Sequence, residues 1–213
     1  MRTSLITRAA AVGTAAGALA LSLLAAPAAQ AADGTTSLAS VLNAGQAKFD
    51  RDFADYDILT KAVEAVLAAK PNSPVKVLAD GNTAVTAFIP NDQAFINLAS
   101  ALTGKKVSTE NAAFKAVAGL GIPTVEQVLQ YHVVPGPAIL SEAALKANGA
   151  KLKTALDGKT VGVRVNTSAP SITLVDRATK LPNPKVILDQ VDINKGNKQV
   201  AHGIDAVLLP MNP

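Results

Sequence analysis

The 213-residue chain has no cysteine and no tryptophan, and aromatic side chains make up only 3% of it. Without thiols there is no disulfide framework, no thiolate nucleophile and no Cys-ligated metal. Histidine is almost as scarce. His132 and His202 are the only two, and two distant histidines without a nearby acid cluster do not make a zinc site. Lysine and arginine never exceed two in a row. With so few aromatics beside them, nucleic acid is not an expected partner.

Long apolar runs are also scarce, and the one present lies at the start. Arg2 and Arg8 make a basic beginning, residues 9–24 are apolar, Pro27 breaks the run, and Ala29-Gln30-Ala31 is a small-x-small cleavage site. These are the parts of a secretory signal peptide over residues 1–31. The run is shorter than the roughly 20 residues a membrane span needs. There is also no cysteine to lipidate and no apolar C-terminal tail. The expectation is a secreted, extracellular product over residues 32–213, cleaved near Ala31-Ala32, with no transmembrane anchor. Cleavage removes two of the 20 basic residues and none of the 16 acidic ones. The balance falls from +4 to +2, so the product is less basic than the whole sequence. What remains is one domain's length. A domain of about 150 residues buries roughly 68–70% of its unfolded surface, enough to fold without disulfides.

The pattern after the leader is α+β. A short helix is expected over residues 37–42. A second follows on the stripe Ile58, Leu59, Ala62, Val63, Val66 and Leu67, with Asp55 or Asp57 as its cap. Residues 75–79 and 84–89 read as strands around an Asp80-Gly81-Asn82 turn. Pro90 stops the second of these. Asn91 and Asp92 then offer side-chain oxygens to a helix whose apolar face is Phe95, Leu98 and Leu102. Further helices are expected over 110–118 and 124–131, the latter opened by a Thr124/Gln127 capping box. Later the chain turns to strands. Val161, Val163 and Val165 alternate with polar or small residues, and residues 171–175 return beyond a turn at 166–170. Residues 186–188 and 191–193 continue the sheet, and Asn194-Lys195-Gly196-Asn197 is a hairpin turn. A closing strand runs from 200 to 209. Helices early and strands late point to α+β and away from a βαβ array.

Three segments carry a resemblance. The first is Thr86-Ala87-Phe88-Ile89-Pro90-Asn91-Asp92-Gln93-Ala94-Phe95. The second is Tyr131-His132-Val133-Val134-Pro135-Gly136. The third is Val200-Ala201-His202-Gly203-Ile204-Asp205-Ala206-Val207-Leu208-Leu209-Pro210. In this order and spacing they resemble the signature segments of the fasciclin domain family, over about residues 36–211. Asn91 stands where the family often has Thr, Gly203 stands where a β-branched residue is usual, and residues 176–185 are long for the family. The resemblance implies a fasciclin-like β-sandwich wedge with helices packed along it. It further implies a non-catalytic extracellular module for adhesion or for matrix and cell-surface interaction, with a protein or polysaccharide partner and no cofactor. Thr86, Phe88, Pro90, Asp92, Phe95, His202, Ile204, Asp205, Leu208 and Pro210 are then structural motif residues.

The individual polar residues read mainly as scaffold. His132 shares a helical stripe with Val125, Val128 and Leu129, which predicts an inward, neutral, hydrogen-bonded imidazole. Tyr131 lies off that stripe. With His132, Val133 and Val134 it forms the partner-binding candidate, because the resemblance links the Tyr-His region to partners. On a continuous closing strand His202 and Asp205 face opposite sides, which argues against a catalytic pair. Asp92 reads as a helix cap or first-turn acid. The Asp192–Gly196 stretch lacks the spacing of a calcium loop, and no nucleophile elbow or phosphate loop occurs. No catalytic and no metal residue is expected. Asn166-Thr167-Ser168 is a formal glycosylation sequon. Two other function classes stand beside the adhesion module: an exported hydrolase using a histidine and an acid, and a small-ligand carrier.

Overall fold

The computed structural model describes residues 34–45 and 47–213; the expected signal peptide lies outside them. Among these residues, six α-helices and six strands follow in the order α1 Leu38–Asn43, α2 Asp57–Ala69, β1 Val85–Pro90, α3 Asp92–Thr103, α4 Glu110–Ala118, α5 Ile122–Tyr131, β2 Val133–Pro135, α6 Ser141–Ala144, β3 Lys151–Lys153, β4 Thr160–Asn166, β5 Ser171–Val175 and β6 Gln199–Ile204. The strands form two three-stranded sheets, β2-β1-β6 and β3-β4-β5. The class is mixed, with helices early and strands late as the pattern indicates.

β1 organises the molecule. It pairs antiparallel with β2 and parallel with β6, so that Phe88 stands opposite His202 and Pro90 opposite Ile204. All six of its residues are buried. Side chains alternate along a strand, and here both faces meet core. Val85, Ala87 and Ile89 join Ile58, Val66, Phe95, Leu98 and the other apolar residues of α1–α5. Phe88 points the other way and packs with Tyr131, Val134, Val161, Val163, Ile172, Leu174, Ile204 and Leu208. This second cluster draws residues from both sheets.

Local chemistry sets the helix ends. Ser37, Asn91 and Thr109 accept hydrogen bonds from Ser40, Ala94 and Ala112 and so cap α1, α3 and α4. Gly104 closes α3 in the left-handed region at φ 63°. Four expectations are corrected here. Residues Pro74–Ala79 form a 3₁₀ helix instead of a strand. Pro74 supplies the fixed φ favoured at a helix start, and Ser73 accepts from the Val75 N–H. α5 begins at Ile122 after Gly121 with no side-chain cap, so Thr124 and Gln127 make no capping box. α2 is capped by neither Asp55 nor Asp57. Its Ile58 N–H donates to Asp92 Oδ1 at 3.0 Å, while Asn91 caps Asp92's own helix. Asp92 thus caps a helix 34 residues earlier in the chain. Finally, β6 stops at Ile204. Asp205 lies beyond it, exposed, and accepts from the Lys185 N–H at 2.7 Å. It is not part of a buried strand, and it makes no hydrogen bond with His202.

Residues 186–193 flank β6 through the isolated bridges Val186 with Ile204 and Ile193 with Ala201, without forming continuous strands. Their path explains Gly203. A Cβ at that position would lie 2.6 Å from Tyr56 Oη and 2.7 Å from Gln190 Oε1. Those two atoms hydrogen-bond to each other at 2.7 Å across the glycine. A β-branched residue has no room here. Gly203→Ala is expected to cost about 1–3 kcal/mol through overpacking. Combining it with Tyr56→Phe should recover part of the loss, as measured by urea unfolding. Equal stability of Gly203→Ala and wild type would contradict the packing.

Candidate functional site

The Tyr-His segment joins α5 to β2. Tyr131 is 0% exposed, and His132, Val133 and Val134 are buried with it. The expectation that Tyr131 faces a partner is therefore corrected. α5 is buried on two sides: Val125 and Leu129 face the helices, and Tyr131 reaches the second sheet. Its hydroxyl donates to the Thr160 carbonyl at 3.0 Å, at the start of β4. Burial pushes the phenol up to about 12. Of the neighbourhood of the partner candidate, Pro135 and Pro137 are exposed.

Both histidines are satisfied by backbone. His132 Nδ1 lies 2.7 Å from the Val128 carbonyl, and the Leu208 N–H donates to its Nε2 at 3.0 Å. This pair of partners requires the neutral tautomer with the proton on Nδ1. His132 thereby ties α5 to the closing segment. His202 Nε2 lies 2.8 Å from the Ile139 carbonyl, and the Asp192 N–H donates to its Nδ1 at 3.3 Å. Neither ring has a nitrogen left to move a proton to or from a substrate. Burial lowers His132 to about 4 and lowers His202 as well. A histidine depressed in the folded state contributes stability that is complete above its unfolded pKa of about 6.5. That contribution is lost as the pH falls through about 4. The expected NMR result is that the His132 imidazole of the native protein stays neutral down to about pH 4. A native midpoint near 6.5 would contradict the buried tautomer.

Two features have the character of sites. The first is an apolar cavity of about 150 Å³ between α2, α3, α5 and residues 207–213. Leu59, Phe95, Leu98, Val125, Val128 and Leu209 contribute to its lining. Leu120 and Met211 also line it and are partly exposed, at 38% and 57%. The segment after β6 is fixed in place by the 176–185 loop. Asp176 accepts from the Leu209 N–H, Arg177 N–H donates to the Leu209 carbonyl, and Asn212 Oδ1 accepts from the Lys180 N–H. The long loop thus secures one wall of the cavity. No single sequence motif marks this feature, because its lining comes from four separate parts of the chain.

The second feature is a knot of acids. Asp57, Asp92 and Glu110 are buried, and each is the first residue of its helix. Burial, reinforced by neighbouring carboxylates, raises the pKa of all three and of Asp55, carrying Asp92 to about 8. The Asp50 N–H favours the charged form of Glu110 without meeting hydrogen-bond geometry. These acids are scattered over more than fifty positions, so nothing local in the sequence groups them.

The profile of the fasciclin domain matches residues 57–210, well over half of the chain. The chain belongs to the fasciclin domain family. Among solved structures, it is similar to a domain pair from the insect cell adhesion molecule Fasciclin I, with 21% identity and a TM-score of 0.44. That match covers 70% of this chain and 44% of the other. No curated protein sequence matches the chain. Among the described residues, no helix of this fasciclin domain is long and apolar enough to cross a membrane.

Proposed function

We propose that this chain is exported through the leader at residues 1–31 and acts over residues 32–213 as a single fasciclin domain, a β-sandwich wedge with helices packed along it. Its role is non-catalytic binding at a cell surface or in an extracellular matrix, with a protein or polysaccharide partner. The observation that carries the choice of surface is the apolar cavity, with Leu120 and Met211 accessible among its lining. Partly exposed aliphatic side chains beside a pocket are what a partner's side chain can anchor in. His132 lines the cavity from within, Tyr131, Val133 and Val134 are buried scaffold, and contact with the partner falls to the cavity rim. The hydrolase reading is weakened by the two histidines, whose ring nitrogens are all occupied. The test is capture of saturable ligands by the 32–213 protein from envelope and matrix fractions, compared with a Leu120→Asp/Met211→Asp variant. Selective loss in the variant supports the surface, and unchanged capture overturns it.

The cavity itself favours a second reading, a small-ligand carrier. An engineered cavity of about 150 Å³ lined by Leu, Ile and Phe stays dry and binds benzene. A small apolar molecule or the end of an alkyl chain fits the same volume here. Calorimetric titration with benzene or indole tests it, and saturable heat that disappears on Leu98→Trp supports a carrier.

A further inference from the structure

Among the described residues, the buried side-chain polar atoms without a hydrogen-bond partner are Asp55 Oδ1, Asp92 Oδ2 and both carboxylate oxygens of Glu110. All four belong to the acidic knot. Carboxylate oxygens of Asp57, Asp92 and Glu110 lie within 4.8 Å of one another. Asp92 is 0% and Glu110 1% exposed. Folded proteins pair nearly all such atoms, so four unpaired acceptors in one acidic place call for a partner other than a side chain.

The available partners can be weighed by what each one satisfies. Among the described residues no basic side chain forms an ion pair with the knot, and Lys61, whose charge reaches Asp57, is engaged with Glu64. Lys48 and Arg51, in the loop before α2, make no ion pair among the described residues, and that loop adds Asp50 and Asp52 to the negative charge. The three helix N-termini bring partial positive charge. Yet the Ile58 N–H serves Asp92 Oδ1 and leaves the four unpaired oxygens as they are. A water molecule donates two hydrogens, which serves two of the four acceptors and neutralises nothing. A proton held between Asp55 and Asp92 serves those two residues and leaves Glu110 unpaired. A hard divalent cation takes oxygen ligands only, and oxygens on opposite sides of calcium are about 4.6–5.2 Å apart. It satisfies the separation, the ligand type and the charge together.

We propose that Asp57, Asp92 and Glu110, flanked by Asp55, form a calcium-class cation site that ties together the first turns of α2, α3 and α4. The proposal is independent of the binding surface described above, since the cavity shares none of these four residues.

The test is thermal unfolding of the EDTA-stripped full chain titrated with calcium or magnesium chloride, with calorimetry for stoichiometry. The expected result is a saturable rise in Tm, larger for calcium than for magnesium, and one ion per chain. Glu110→Gln and Asp57→Asn should each abolish the rise or weaken apparent affinity at least about tenfold. Glu142→Gln, an exposed acid elsewhere, should leave it unchanged. Absence of a saturable shift in the wild type at millimolar calcium overturns the proposal, whatever the variants do. An equal shift in wild type and Glu110→Gln also overturns it, because the ion then binds elsewhere.

Discussion

Tyr131→Ala is expected to destabilise the domain by about 3–5 kcal/mol, the range for emptying a large aromatic from a core. The side chain is fully buried where the two sheets share one apolar cluster. It also carries a hydrogen bond from the end of α5 to the first residue of β4. Tyr131→Phe separates the two contributions. It keeps the ring and removes the donor, at about 1 kcal/mol for a net hydrogen bond. Urea unfolding followed by far-UV circular dichroism reads both. A cost below about 1 kcal/mol for the alanine variant would place Tyr131 outside the core. Loss of binding by Tyr131→Ala follows from unfolding, so only the phenylalanine variant reports on contact.

Gln199→Leu is expected to be nearly as costly, about 2–4 kcal/mol, although it swaps a polar side chain for an apolar one of similar size. Gln199 is 0% exposed at the start of β6. Its Oε1 accepts from the Leu38 N–H at 2.8 Å. Its Nε2 lies within hydrogen-bond distance of the Val77, Asp80 and Thr83 carbonyls. One amide therefore fastens α1, the 3₁₀ helix and the turn before β1 to the closing strand. Leucine leaves these groups without their partner, and the buried Leu38 N–H cannot turn to solvent. Gln199→Glu should be no better, because it keeps the acceptor but sets carboxylate oxygens against three carbonyls. A Gln199→Leu variant as stable as wild type would show that the amide is not the fastener.

The parts legible in the sequence were those fixed by local chemistry. β1, α3 and α4 follow from a proline stop, short polar caps and regular apolar spacing. β4 and β5 follow from strict alternation around a polar turn. What escaped depended on distant partners. The Asp92 side chain looks like a local cap, yet it serves α2 because the 53–55 backbone packs on the start of α3, with Phe53 and Asp55 carbonyls accepting from Gln93 and Asp92. A helix with one apolar stripe is expected to bury one side, which leaves Tyr131 at the surface. α5 instead lies between the helical layer and the second sheet. Residues 75–79 carry a strand's composition, but Ser73-Pro74 starts a tight helix and puts Val75 and Leu78 into the core. Gln199 carried no signal at all, since one glutamine beside a turn gives no hint of four backbone partners.

The proposed binding surface is the cavity rim, with the Tyr-His segment as scaffold. The most direct measurement is equilibrium binding of the 32–213 protein to an immobilised ligand from the matrix or envelope fraction, with Leu120→Asp/Met211→Asp and Tyr131→Phe measured beside the wild type. All three proteins are first checked for native folding. The expected result is that the rim variant loses affinity by about tenfold or more, the scale of removing central apolar anchors, while Tyr131→Phe binds like wild type. A rim variant that binds normally, with Tyr131→Phe folded but defective in binding, would contradict it.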